Sequence, residues 1–163
     1  MSVICFIIIA TQARVALVTM REFSYKLVEN DNELEGAFEV RRQVFTEEQG
    51  ISENLEFDGY DGEAMHMVVK DGRRVIGTAR VQFLEVKQAK LERMAVLSPF
   101  RRRGIGKKII SFLIEELKNR QIEKVVLHAQ YGVIGFYKVC GFNQSGLPFW
   151  EAGIKHVKME RGL

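Results

Sequence analysis

SPFRRRGIGKKIISFLI, residues 98–114, runs three consecutive arginines into a Gly-x-Gly turn and then switches to an amphipathic pattern. Ile105, Ile109, Ile110, Leu113, Ile114 and Leu117 recur at intervals of three and four, which predicts a helix over 104–120 with a broad buried face. The first N–H groups of such a helix have no internal partner, and its dipole adds positive charge there. Glycine at 104 and 106 keeps side chains out of the approach, so an anion can reach hydrogen-bonding distance of the backbone. The stretch is either an anion cradle or a solvated basic turn, and its surroundings decide which.

A chain of 163 residues, 47% apolar with two prolines, suits one ordered domain with a core. The formal net charge is +3, yet Arg101, Arg102, Arg103, Lys107 and Lys108 crowd five positive charges into eight residues, leaving the remainder net acidic. One compact cluster suits a small polyanion better than a long phosphate track, so no nucleic-acid partner is expected. Cys5 and Cys140 form no CxxC, which points to a reducing, cytoplasmic setting. His66, His128 and His156 lie far apart and no HExxH occurs, so no metal site is expected. The apolar run Val3–Ala10 is far short of the ~20 residues of a membrane span. Its first positive charge, Arg14, follows the run, whereas a signal peptide carries positive charge ahead of its apolar core. Residues 1–21 are read as an extension or extra strand, with a single domain over 22–163 and no membrane association.

Elsewhere the pattern predicts a strand at 25–28, then a helix capped by Asn30 with Glu33 at capping-box spacing and stopped by Gly50. Residues 47–63 form an acidic loop, either a solvated connection or a rim attracting a cationic substrate. Strands at 64–69 and 74–83 flank the hairpin signal Asp71-Gly72, and a third follows at 90–97. After the long helix come a strand at 124–129, a short helix at 133–140 ended by Gly141 with Phe142 packed back on it, and a strand at 149–159. This order reads as α+β, a mixed, largely antiparallel sheet flanked by helices.

The glycine motif lacks the third glycine of a dinucleotide fingerprint, since position 109 is isoleucine, and no GxxxxGK[ST] is present. MAVLSPFRRRGIGKKII (94–110) together with GFYKVCGF (135–142) resembles the GNAT superfamily of N-acetyltransferases. VRRQVFTEEQGI (40–51) and FWEAGIKHVKM (149–159) resemble its ElaA/YjcF-like branch, which extends the likeness over about 22–160. The resemblance implies a GNAT-like fold with splayed central strands, acetyl-CoA as cosubstrate, and a small-molecule or peptide amine as acceptor. It implies that Met94, Ala95 and Val96 offer backbone groups to pantetheine and that Arg101, Arg102, Arg103, Gly104, Ile105, Gly106 and Lys107 surround the pyrophosphate. Phe136 falls in the second cofactor segment. Gln130 stands near where the family often has an amide-binding asparagine. A non-catalytic acyl-CoA sensor or RNA-contacting module is the alternative, and a homodimer through the terminal strand is left open.

Amine attack on a thioester needs a neutral amine and a proton for the departing thiolate. Tyr137 matches the family's tyrosine acid. Glu92 is the candidate base, placed by strand alternation on the face of Met94 and Val96, with a salt bridge to a neighbouring arginine as its competing role. Glu151, His128 and His156 are rival bases. Cys140 invites a covalent reading but suits a small buried residue at a helix end.

Overall fold

The computed structural model describes residues 22–163, so the extension expected at 1–21 lies outside the described residues. In chain order the elements are β1 (Ser24–Leu27), α1 (Asp31–Arg41), α2 (Glu53–Glu56), β2 (Met65–Asp71), β3 (Arg74–Phe83) and β4 (Gln88–Val96). Then follow α3 (Ile105–Asn119), β5 (Lys124–Gln130), α4 (Ile134–Val139), β6 (Asn143–Gln144), β7 (Phe149–Glu151) and β8 (Ile154–Gly162). The strands form one sheet in the order β1-β2-β3-β4-β5-β8-β6, with β7 also on β8. The α+β class and the largely antiparallel sheet are as expected, and β4 with β5 is a parallel pair.

That pair positions the site. Its pairing lasts only from Gln88–Lys124 to Lys90–Val126, after which β4 runs on to Val96 and β5 to Gln130 without pairing to each other. The strands part and leave a wedge between them. β4 also carries a bulge, because Thr78 pairs with Ala95 but Arg80 with Glu92, two residues of β3 against three of β4. Arg93 lies within it at φ 52°, and the extra residue bends the strand.

Helices cover both faces. The apolar stripe of α3 packs with Val81, Leu91, Leu127 and Met159 in the main core, while Val40 and Val44 meet Ala95 and Leu97 on the other face. The Asn30 side chain accepts from the Glu33 N–H at 3.0 Å, and the Glu33 carboxylate accepts from the Glu29 N–H at 3.1 Å, a capping box shifted by one residue. The expected helix to Gly50 divides: regular α1 ends at Arg41 and wider π-helical turns carry the chain over Arg42–Glu48. The single strand expected at 149–159 is instead the hairpin β7–β8. Ala152 (φ 50°) and Gly153 (φ 74°) both take left-handed backbone there, the requirement of a tight two-residue turn.

Candidate active site

The wedge opens into a cavity of about 390 Å³, lined by Lys90 to Val96 of β4, His128 and Gln130 of β5, Phe136 and Tyr137 of α4, and Glu151 and His156 of the hairpin. Met94, Ala95 and Val96 all line this cavity, and beyond Lys90 their strand has no backbone partner on the β5 side. Arg101 closes part of the cleft: its Nε–H donates to the Val96 carbonyl at 2.8 Å and its guanidinium pairs with Glu48 at 2.6 Å. Gln130 donates to the side chain of Gln49 at 2.8 Å, tying β5 to the end of the first helical segment. Gln49 was missed from sequence because nothing local marks it.

Beside the cavity, the basic turn is open. Gly104 is the N-cap of α3 at φ 77°, no side chain caps it, and a side chain built there would meet nothing within 4 Å. Gly106 has a different reason to be glycine. A Cβ there would lie 3.2 Å from the Phe136 ring and 3.7 Å from Met94, so this glycine lets α3 approach β4 and α4 and does not clear a path for an anion. Ile105 is buried in the core, leaving its backbone as its contribution to the turn. Arg103 stacks on Phe23 and Phe100 at 4.9 and 5.8 Å, and Lys108 lies over Tyr25 at 5.8 Å. Arg102 and Lys107 are exposed and have no ion pair among the described residues.

The acidic segment divides: Glu47, Glu48, Glu53 and Glu63 stay exposed, as in a solvated connection, while three other carboxylates are drawn into an arginine cluster. Glu56, Asp58 and Asp61 turn inward to Arg41 and Arg80, both 0% exposed, and to Arg93. Arg80 grips Asp58 through two bonds of 2.7 and 2.6 Å, reaches Asp61 at 3.0 Å, and donates from Nε to Glu92 at 3.0 Å. Lys90 completes the set at 2.9 Å from Glu92, so four cations face four carboxylates, of which Glu56, Lys90, Glu92 and Arg93 form part of the cavity wall. The Arg80 guanidinium holds the Asp58 carboxyl well below the usual range. Burial raises the Asp61 and Glu92 carboxyls, but their bonds to Arg41 and to Lys90 and Arg80 respectively outweigh it and leave both lowered. Burial wins at Glu56 and pushes it up despite Arg41 and Arg93.

The bulge corrects the reading of Glu92. Leu91, Met94 and Val96 all contribute to the main core, so the extra residue at Arg93 moves Glu92 off the face of Met94 and Val96. Glu92 still lines the cavity, and the competing salt bridge to an arginine is present. Tyr137 lines the same cavity with its ring against Phe136 and Phe142, at 5.0 and 6.0 Å, and burial followed by Cys140 pushes its hydroxyl up to about 12. Cys140 itself is buried in the core, and that burial raises its thiol. Among the described residues no group of three His, Cys, Asp or Glu side chains could hold a metal ion, and no helix is long and apolar enough to cross a membrane.

Splayed strands, an open glycine turn before the long helix, and a cavity tyrosine make up the fold and its candidate site, and the fold agrees with comparison to known proteins. Residues 21–163 match the family model described as an acetyltransferase (GNAT) domain. The Bacillus subtilis protein YyaT is 37% identical over 141 residues, 85% of this chain and 95% of that protein. The N-acetyltransferase YjcF of the same organism is 34% identical over 134 residues, 82% of this chain and 95% of its own. Escherichia coli ElaA shares the fold with a TM-score of 0.77 at 21% identity, covering 86% of this chain and 99% of that one. The chain belongs to the GNAT acetyltransferase family and is an acetyltransferase.

Proposed function

We propose that the protein moves the acetyl group of acetyl-CoA onto a primary amine by direct attack, with donor and acceptor bound together. The observation that carries this reading is that one cavity is lined both by the unpartnered edge of β4, beside the open turn, and by Tyr137. The residues suit acetyl-CoA, which supplies an activated acetyl group when bound. Met94, Ala95 and Val96 offer backbone groups to its pantetheine arm once Arg101 releases the Val96 carbonyl. The turn from Arg101 to Gly106, with Arg102, Arg103 and Lys107, takes the pyrophosphate; Arg102 and Lys107 are the cations still unpaired, and Gly104 leaves room for the anion. Phe136 and Gln130 border the arm. Tyr137 donates the proton to the departing sulfur.

Glu92 belongs to the wall of this site, a fixed carboxylate whose charge Arg80 and Lys90 already balance. Direct attack is favoured because, among the described residues, no cysteine, serine or threonine lines the cavity. An RNA-contacting role has less support, since Arg101, Arg103 and Lys108 are engaged within the chain.

Thiol release from acetyl-CoA, followed with and without benzylamine, spermidine or a tripeptide with a free N-terminus, tests the reading. Release that depends on an amine is expected. A stoichiometric burst of thiol before any amine is added would contradict direct attack in favour of an acetyl-enzyme.

A further inference from the structure

Resting on the amine-acetylating reading above, we infer that His128 and Glu151 are its general-base pair, with His128 Nε2 removing the acceptor's proton and Glu151 holding the imidazole in place. The two residues lie 23 apart in sequence, on β5 and β7, yet His128 Nδ1 is 3.0 Å from Glu151 Oε2 and both line the cavity that holds Tyr137. A carboxylate only accepts, so Nδ1 carries the hydrogen, and in the neutral ring the lone pair is on Nε2. Among the described residues Nε2 has no hydrogen-bond partner, and the side chain is 31% exposed, so a substrate can reach it. The Phe149 ring, 4.8 Å away edge-on, fixes the imidazole from a second side.

The other candidates lack this arrangement. Glu92 is already neutralised by Arg80 and Lys90. His156 also lines the cavity, but its Nδ1 donates to the Ile154 carbonyl at 2.9 Å, a neutral acceptor that does little to stabilise an imidazolium. Only His128 combines a carboxylate behind the ring with an open nitrogen ahead of it.

A primary amine with a pKa of ~10 is almost wholly ammonium at neutral pH, so removing its proton is a required step. In that step an N–H bond of the ammonium breaks and an N–H bond forms at His128 Nε2. The electron pair stays on the amine nitrogen, and the imidazolium later gives its proton to solvent. Glu151 is a positioning residue: its hydrogen bond fixes the tautomer and the orientation of the ring.

The groups around His128 that could also shape a pH profile are Glu151 from β7, Lys158 as its register partner and His156 from β8, and Lys90 and Glu92 of β4 lining the same cavity. His156→Gln is therefore run as the control.

With the fastest of the three amines, His128→Gln is expected to lower kcat/KM about 10²-fold at pH 7, with the deficit shrinking as pH approaches that amine's own pKa, about 8 for the tripeptide's α-amino group and about 10 for an alkylamine. Thermal stabilisation by CoA stays unchanged in this variant, and His156→Gln keeps the wild-type pH profile. Imidazole ¹⁵N spectra of the free protein give a readout independent of turnover. Neutral His128 is expected as the Nδ1–H form in the wild type and as the Nε2–H form in Glu151→Gln, whose amide can donate to Nδ1, whereas Glu151→Asp retains the Nδ1–H form. A His128→Gln enzyme within threefold of wild type with the same pH profile overturns the pair, as does a wild-type His128 in the Nε2–H form. A wild type that turns over none of the three amines counts against amine acetylation itself, a separate failure.

Discussion

Tyr137→Phe is expected to lower kcat by about 10- to 100-fold while leaving CoA affinity within about twofold, the signature of a bond formed only as the thiolate departs. The substitution removes one oxygen and keeps the ring against Phe136 and Phe142, so the wall of the cavity survives. A hydrogen bond to a developing charge is worth about 1.5–3 kcal/mol, which converts to the stated range. Burial, with a smaller contribution from Cys140, pushes the hydroxyl up to about 12, so it stays protonated at any working pH and adds no limb to the rate profile. In the proposed role the departing thiolate, desolvated by burial, becomes more basic and so accepts from a phenol this weakly acidic. Steady-state kinetics with a parallel CoA titration separates the two effects. An unchanged kcat would remove Tyr137 from the chemistry.

The second large effect is on stability. Arg80→Ala is expected to cost about 3–5 kcal/mol, because it leaves Asp58, Asp61 and Glu92 facing one another without their common partner. The sign of the pH dependence follows from the same groups. In the wild type these three carboxyls are lowered, so the stability they contribute is present above the ordinary carboxylate range of ~4 and is lost as pH falls below it, through their lowered folded values. Glu56 is raised and runs the other way, favouring the fold below its unfolded value and losing that contribution as pH rises, one group against three. In Arg80→Ala each carboxylate keeps one cation, Arg93, Arg41 or Lys90, but loses the shared one, so each is protonated more readily than in the wild type. The difference between variant and wild type should therefore shrink between pH 7 and about pH 3, which urea unfolding at both pH values measures directly. Equal differences at the two pH values would mean that the loss comes from packing.

The elements that could be read from the sequence are those whose signals are local. The stripe from Ile105 to Leu117, the cap at Asn30, the turn at Asp71-Gly72 and the end of α4 at Gly141 each depend on a few neighbouring residues, and each forms as its pattern predicts. What escaped depends on partners distant in the chain. Arg41 and Arg80 lie within a helical pattern and a strand pattern, where an arginine ordinarily points to solvent, and their carboxylates come from a loop 15 to 22 residues away. No glycine marks the bulge at Arg93, so alternation carried Glu92 to the wrong face. The hairpin at Ala152-Gly153 was hidden because alanine seldom takes left-handed backbone. Splayed strands followed from the family likeness alone, since periodicity does not say where pairing stops.

The most direct test is calorimetric titration of CoA into the wild type, Gly104→Ala and Gly104→Glu. Gly104 has φ 77° and open space beyond it, so both substitutions carry the same backbone strain of about 1–2 kcal/mol, and only the second places a carboxylate where the pyrophosphate is proposed to rest. Melting curves of the free variants confirm that each folds. The account predicts binding by the wild type, a weaker version in the alanine variant, and a further loss of at least about 100-fold in the glutamate variant. A glutamate variant that binds CoA as tightly as its alanine counterpart, or a wild type that gives no heat at millimolar CoA, would contradict it.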